Sequence, residues 1–439
     1  ISRGGFLQVL ATGIGADTTL ARIIHRVEDA QDAKARTQKF IDKFSSWYTP
    51  AIVVLALLAG LISGSVVLGL TLLVVACPGA LVISIPVSIV AGIGRSARDG
   101  ILIKGGEFLE TAAKIDVVAV DKTGTLTKGR PQLTDVVALA PGVEKNHVLA
   151  WAARAEAGSE HPLARPILEA AEKAGIPVAA LPEHIEPVIG KGITARVDGK
   201  RVLIGNLALL EQFGVADTVG ADRVAHELAT QGRTPMIVAV DDQVLGVIAV
   251  ADEIRRDAAA MVAALHKAGV KKVVMLTGDV KPVADAVAAA TGIDEVHAGL
   301  LPEDKLDIVA RLQRAGHVVA MVGDGVNDAP ALAAADVGIA MGSGTDVAME
   351  TAGITLMRPD PRLVAAALDI SRATIAKIRQ NLFWAFAYNV VGIPLAAFGL
   401  LTPALAGAAM AMSSVSVVTN AGLLTRWKPR LPDIDGHQS

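Results

Sequence analysis

Val117-Val118-Ala119-Val120-Asp121-Lys122-Thr123-Gly124-Thr125-Leu126-Thr127 is the stretch whose reading decides the fold. Four apolar, mostly β-branched residues predict a buried strand, and a carboxylate, a lysine, hydroxyls and a turn glycine follow at its end. In an open α/β sheet, ligands bind at the carboxyl ends of the strands. Asp121 is thereby placed as a nucleophile, with Lys122, Thr123 and Thr125 around an incoming phosphoryl group. An aspartate that accepts phosphate is a covalent strategy of ATPases. A lone Asp at a strand end is ordinarily just an Asx turn, so the assignment needs partners elsewhere in the chain.

Two later stretches supply them. Lys272-Val273-Val274-Met275-Leu276 ends in Thr277-Gly278-Asp279, and His317-Val318-Val319-Ala320-Met321-Val322 ends in Gly323-Asp324-Gly325-Val326-Asn327-Asp328. Three strands that end in Asp-bearing loops resemble a haloacid-dehalogenase-like layout. Asp121 and Asp324 near one phosphate would repel each other without a cation between them, and Mg²⁺ meets that need. Lys305 could neutralise phosphoryl charge, although a lysine at that spacing is also an ordinary surface residue.

Between the first strand and these two lies an insertion from Pro131 to about Ala251 with its own helices and strands. Met236–Val240 and Leu245–Val250 predict a hairpin around Asp241-Asp242. Ser159-Glu160-His161-Pro162 and Gly190-Lys191-Gly192 are each, taken alone, ordinary turns.

The rest of the chain is lipid-like. Of 439 residues, 52% are hydrophobic and only 19% charged, leaner in charge than a soluble protein, and the mean hydropathy is +0.48. A net charge of −3 gives no case for nucleic acid. The single Cys77 excludes an internal disulfide and a multi-cysteine metal finger. Trp47–Ile62, Val66–Ile93, Leu382–Phe398 and Leu405–Leu424 predict four spans, the second interrupted at Cys77-Pro78-Gly79 and again at Pro86. An unwound midpoint carrying a thiol suits a soft metal, as it also suits a simple kink. Tyr388-Asn389 and Met410-Ala411-Met412-Ser413-Ser414 lie within the last two spans, where polar groups mark a functional site. Arg426, Lys428 and Arg430 place the tail on the cytoplasmic side.

Taken together, these motifs resemble those of heavy-metal-transporting P-type ATPases, in that family's order and spacing. The resemblance implies a multi-domain chain: membrane helices, a haloacid-dehalogenase-like α/β phosphorylation domain, and an inserted α+β nucleotide-binding domain. Residues 1–43 would be the end of an actuator domain with a linker helix, and 44–95 membrane helices with the Cys-Pro-Gly break. Residues 96–136 and 252–372 would form the phosphorylation domain, the latter with a return helix, and 137–251 the nucleotide-binding domain. Residues 373–425 would be two further membrane helices, and 426–439 a cytoplasmic tail. The family's Thr-Gly-Glu motif is absent, so the expectation is a chain truncated upstream.

By the same resemblance Asp121 is phosphorylated, and Asp121, the Thr123 carbonyl and Asp324 hold Mg²⁺. Thr277 and Lys305 bind phosphate, and Lys122, Gly278, Asp279, Asn327 and Asp328 complete the catalytic surroundings. Glu160, His161, Gly190 and Gly192 hold the adenine end of ATP. The implied protein is an integral membrane protein of a bacterial plasma membrane with its catalytic domains in the cytoplasm, and its implied partners are a transition-metal ion, the bilayer and a metallochaperone.

The ion is read from the departures. The family's Cys-Pro-Cys is here Cys77-Pro78-Gly79, one thiolate fewer, and the residues after it resemble the zinc/cadmium pumps. Tyr388, Asn389, Met410, Met412 and Ser414 look like the copper pumps. Zinc favours several anionic or imidazole ligands, whereas one thiolate with thioethers and amide oxygen suits Cu(I) better. The expectation is Cu(I) export, with Zn²⁺/Cd²⁺ as the alternative. A phosphatase on the same fold is the remote one, because such enzymes carry a second Asp where Thr123 stands. Lack of that general acid/base costs roughly 10²–10⁴ in hydrolysis. A non-enzymatic metal-binding membrane protein would have no use for a Mg²⁺-phosphate site.

Overall fold

The computed structural model describes residues 36–159, 163–178, 181–188, 190–325, 328–342 and 344–429. Residues 1–35 and 430–439, with the expectations placed on them, lie outside the described residues. Among the described residues, three helical segments are long and apolar enough to cross a membrane: Lys39–Ser63, Val66–Arg98 and Pro403–Arg426. Their outward faces carry Leu57, Leu61, Val66 and Val90, all exposed, as contact with lipid requires.

The described end of the expected linker helix and the first span are one helix, Arg36–Ser63. No glycine or proline separates them, and Pro50 is accommodated inside. The boundary at residues 43/44 therefore falls within a continuous element. The next span does break where the sequence predicts: one helix ends at Val75 and another runs from Gly79 to Arg98. Pro86 does not interrupt it, contrary to expectation. Serines beside it bond to backbone carbonyls, Ser84 Oγ donating to Leu81 O at 2.8 Å and Ser88 Oγ to Ser84 O at 2.7 Å. Such side chains make a proline tolerable at membrane depth. The expected span Leu382–Phe398 is not among those three: it falls at the end of the 36-residue helix Arg362–Ala397, whose first turns pack into the core of the soluble sheet through Leu363, Val364 and Leu368.

That soluble domain is a seven-stranded sheet. Its strands are β1 (Ile101–Ile103), β2 (Val117–Asp121), β9 (Lys272–Leu276), β10 (Glu295–His297), β11 (Val319–Gly323), β12 (Val337–Met341) and β13 (Ile354–Leu356). They run in the order β1-β13-β12-β11-β2-β9-β10. All pairings are parallel except that of β1 with β13. Parallel strands buried on both faces are continuous apolar runs. Val118 and Val120 thus face one core with Met261, Leu265 and Leu363, while Val117 and Ala119 face another with Ile308, Val309 and Leu332.

The insertion forms a second sheet of β3 (Gln132–Ala138), β4 (His184–Val188), β5 (Gly192–Val197), β6 (Lys200–Gly205), β7 (Thr234–Val240) and β8 (Gln243–Ala251). It is antiparallel, in the order β3-β8-β7-β6-β5-β4. Alternation sends Met236, Val238 and Val240 toward helices Lys145–Glu156 and Ala164–Lys173, and Ile237 and Ala239 toward Leu207–Gln212 and Val219–Thr230. The predicted hairpin is present. Asp241 and Asp242 take φ of 47° and 69°, as a two-residue primed turn requires.

Asp252 ties the two crossings between the domains. It accepts from Thr127 Oγ1 at 2.5 Å, from Gly129 N at 3.0 Å and from Arg130 N at 3.0 Å. The sequence reading passed over it.

Candidate active site

The strand order brings the three predicted loops together, because β2 lies between β11 and β9. Asp121 pairs in register with Leu276, and Val120 with Val322, so Asp121, Thr277 and Asp324 emerge at one edge. Asp121 is 6% exposed and Asp328 2%. Lys305, carried by helix Pro302–Arg314, donates to Asp121 Oδ1 at 2.6 Å and to Asp328 Oδ1 at 2.7 Å.

Carboxylate oxygens of Asp121, Asp324 and Asp328 lie within 4.8 Å of one another. This is an all-oxygen set of the kind Mg²⁺ takes and soft metals do not. Two further observations fit a cation with phosphate. Gly124, at φ +71°, presses on Asp324 so closely that a Cβ there would stand 1.5 Å from Oδ2. The buried hydroxyl of Thr125 has no hydrogen-bond partner. Burial, then Asp328, pushes the Asp121 carboxyl up to about 7 against the pull of Lys305. Burial and Asp328 push Asp324 up to about 6. Burial works against the Lys305 charge, but Asp121 and Asp328 outweigh it and hold its pKa above the ordinary lysine value. The cluster thus holds more negative charge than one lysine offsets.

Around it, Lys122 pairs with Asp279. Asp279 also accepts from Thr277 Oγ1 at 3.2 Å, and its backbone N–H donates back to that oxygen at 3.2 Å. Thr123 is exposed at the lip of the loop. Asn327 lies outside the described residues, as do Glu160 and His161.

A cavity of about 650 Å³ runs from Gly278 and Asp279 into the second domain, past Gly190, Gly192, Thr234 and Glu156. Gly192 has φ +143°, and a Cβ there would meet Ile204 O at 2.1 Å, so only glycine lets β5 and β6 approach so closely at the wall. Asn206 Nδ2 donates to Gly190 O at 3.0 Å and shapes the rim. Glu156 was not singled out from the sequence. It ends the helix Lys145–Glu156 at 2% exposure, with Oε2 unpartnered. Burial raises its pKa, while a hydrogen bond from Ser159 opposes the rise. A carboxylate on the apolar face of Leu149, Ala152 and Ala153 was the available signal.

In the membrane, Cys77 lies in the break between helices and is exposed. A Cβ on Gly79 would reach within 3.7 Å of its sulfur, so a second side chain there would adjoin the thiol. Asn389 is buried. Met410 packs half-buried against Ala56, Leu72 and Ala406. Met412, by contrast, is 56% exposed and is not brought to this cluster. Ser413 is buried and Ser414 only half-buried, as is Tyr388.

The family model of haloacid dehalogenase-like hydrolases matches residues 115–336. Across 94% of the chain the fold is similar to a crystal structure of a zinc-transporting PIB-type ATPase in an E2.Pi state, at 40% identity, a TM-score of 0.69 and 68% of that chain. The silver exporting P-type ATPase of Salmonella typhimurium is 44% identical over 96% of this chain and 53% of its own length. A probable copper-exporting P-type ATPase V of Mycobacterium tuberculosis is 47% identical over 97% and 56%. The chain spans about half the length of the curated relatives it matches. It belongs to the haloacid dehalogenase-like hydrolases. Within them it is a member of the P-type ATPases, and an integral membrane protein.

Proposed function

We propose that this chain is the catalytic and ion-path portion of an ATP-driven exporter of a soft transition-metal ion, Cu(I) in the first instance, working through an aspartyl phosphate on Asp121. The observation that carries the reading is the buried Asp121–Lys305–Asp328 cluster at the joined ends of β2 and β11. An Asp121 oxygen attacks the terminal phosphorus of ATP, the bond to the bridging oxygen breaks, and ADP leaves. Lys305 and Thr277 stand where the transferred phosphoryl charge gathers, and Lys122, held by Asp279, adds a second cation. Asp121, Asp324 and the Thr123 carbonyl are the groups assigned to Mg²⁺, with Asp328 beside them. Bound there, Mg²⁺ supplies charge neutralisation to the phosphoryl group.

Thr123, in place of a second carboxylate, leaves the acyl phosphate without a neighbouring general base. It therefore persists long enough to drive a conformational step. The base of ATP is assigned to the cavity of Gly190, Gly192 and Glu156, together with Glu160 and His161. The unpartnered Glu156 oxygen suits the exocyclic amine of adenine. We assign the phosphorylation domain to 96–136 and 252–372 and the nucleotide-binding domain to 137–251, although β3 (Gln132–Ala138), a strand of the second sheet, straddles the first of these limits.

For the ion, Cys77, Asn389 and Met410 favour a soft monovalent cation, and the silver- and copper-exporting relatives support that reading. The zinc-transporting neighbour keeps Zn²⁺/Cd²⁺ as a second reading. We assign the catalytic domains to the cytoplasm of a bacterial plasma membrane, with a metallochaperone as ion donor. ATP hydrolysis by the complete protein against Cu(I), Zn²⁺, Cd²⁺ and Co²⁺ separates the readings. Cu(I) should stimulate most, and stimulation by divalent ions alone would overturn the copper assignment.

A further inference from the structure

We propose that Thr234, on the nucleotide-binding domain, is a positioning residue for phosphoryl transfer: its hydroxyl bonds Asp279 across the domain junction and thereby fixes the carboxylate that holds Lys122. This rests on the reading that ATP phosphorylates Asp121. Thr234 opens β7, and its Oγ1 donates to Asp279 Oδ1 at 3.4 Å. The other oxygen of Asp279 takes the Thr277 hydroxyl at 3.2 Å and pairs with Lys122. One carboxylate thus gathers a donor from each of the loop after β9, the Asp121 loop and the neighbouring domain.

The junction is built rather than grazing. Arg233 Nη1 pairs with Asp135 Oδ2 at 2.6 Å and anchors the start of β7 to β3. Gly232 turns at φ +79°, and a Cβ there would touch the Ala286 methyl at 3.5 Å, on the helix that follows Asp279. Helix Val219–Thr230 packs on that same helix. Thr234 and Asp279 both line the cavity assigned to ATP, and their contact joins the two domains beside it. Transfer efficiency depends on such placement, since small displacements of a charged group are costly in rate.

The test uses Thr234→Val and Thr234→Ser in the intact protein in membranes. It measures the rate of acid-stable labelling by γ-labelled ATP, its half-saturation, and labelling by acetyl phosphate, which has no base to dock. Loss of one hydrogen bond to a charged group predicts about a tenfold slower labelling of the Val variant at saturating ATP. Labelling by acetyl phosphate should fall alike, because the contact forms without a bound nucleotide, and Ser should restore both rates. A Val variant at the wild-type rate, a loss confined to half-saturation, or a loss with ATP and none with acetyl phosphate would overturn the proposal. Absence of labelling in the unmodified protein would instead refute the phosphorylation reading itself.

Discussion

Lys305 Nζ lies 2.6 Å from Oδ1 of Asp121 although 184 residues separate them in the chain. Both side chains are under a tenth exposed, so each charge is desolvated and depends on the other. Breaking a buried pair by removing one partner typically costs about 3–5 kcal/mol. Lys305→Ala is therefore expected to lower the urea midpoint of unfolding, with Mg²⁺ recovering part of the loss. A midpoint equal to the parent protein's would argue against a buried ion pair.

Gly124→Ala tests the cation site without replacing a ligand. The new methyl would occupy the place of Asp324 Oδ2, and a displacement of about 1 Å can cost roughly 10²-fold in rate. Labelling by ATP should fall by that order while the far-ultraviolet circular dichroism is kept. Full activity with an alanine there would mean that Asp324 has room to move and does not hold the cation as assigned.

Glu156 predicts a pH dependence. Burial raises its folded pKa above the unfolded value of 4.5. The stability it contributes is therefore whole below about that pH and is lost as pH rises through the folded pKa. Glu156→Gln removes the charge and keeps the shape, so the variant should melt higher than the parent at pH 8 and alike at pH 4. The same variant should bind ATP more weakly. Parallel melting curves across this range would exclude a buried, proton-linked Glu156.

What was legible in the sequence follows from where the information is local. Val117–Val120, Val273–Leu276 and Val319–Val322 are continuous apolar runs because both faces of a parallel strand are buried, and each announced its Asp-bearing end. Asp241-Asp242 announced a tight hairpin for a similarly local reason. Pro86 misled because the serines that support it act only once the helix exists. The join of Arg36–Ser63 into one helix was hidden by a change from polar to apolar residues that does not change the backbone. Glu156, Asp252 and Thr234 were missed because their partners lie across turns or domains. A lone Glu, Asp or Thr carries no spacing signal.

Cys77→Ser tests the ion path. A hydroxyl is a poor ligand for a soft ion, and Gly79 offers no second thiol beside it. Metal-stimulated ATP hydrolysis by the complete protein should be abolished, and nucleotide binding should be unaffected. A surviving metal response would move the ion site elsewhere among the spans.

The central claim is that Asp121 accepts phosphate from ATP, and the most direct measurement is acid-stable, hydroxylamine-sensitive labelling by γ-labelled ATP in the complete protein. The account predicts labelling of the parent protein that requires Mg²⁺, maps to the peptide containing Asp121-Lys122-Thr123, and is absent in Asp121→Asn. Undiminished, hydroxylamine-sensitive label in Asp121→Asn would contradict it.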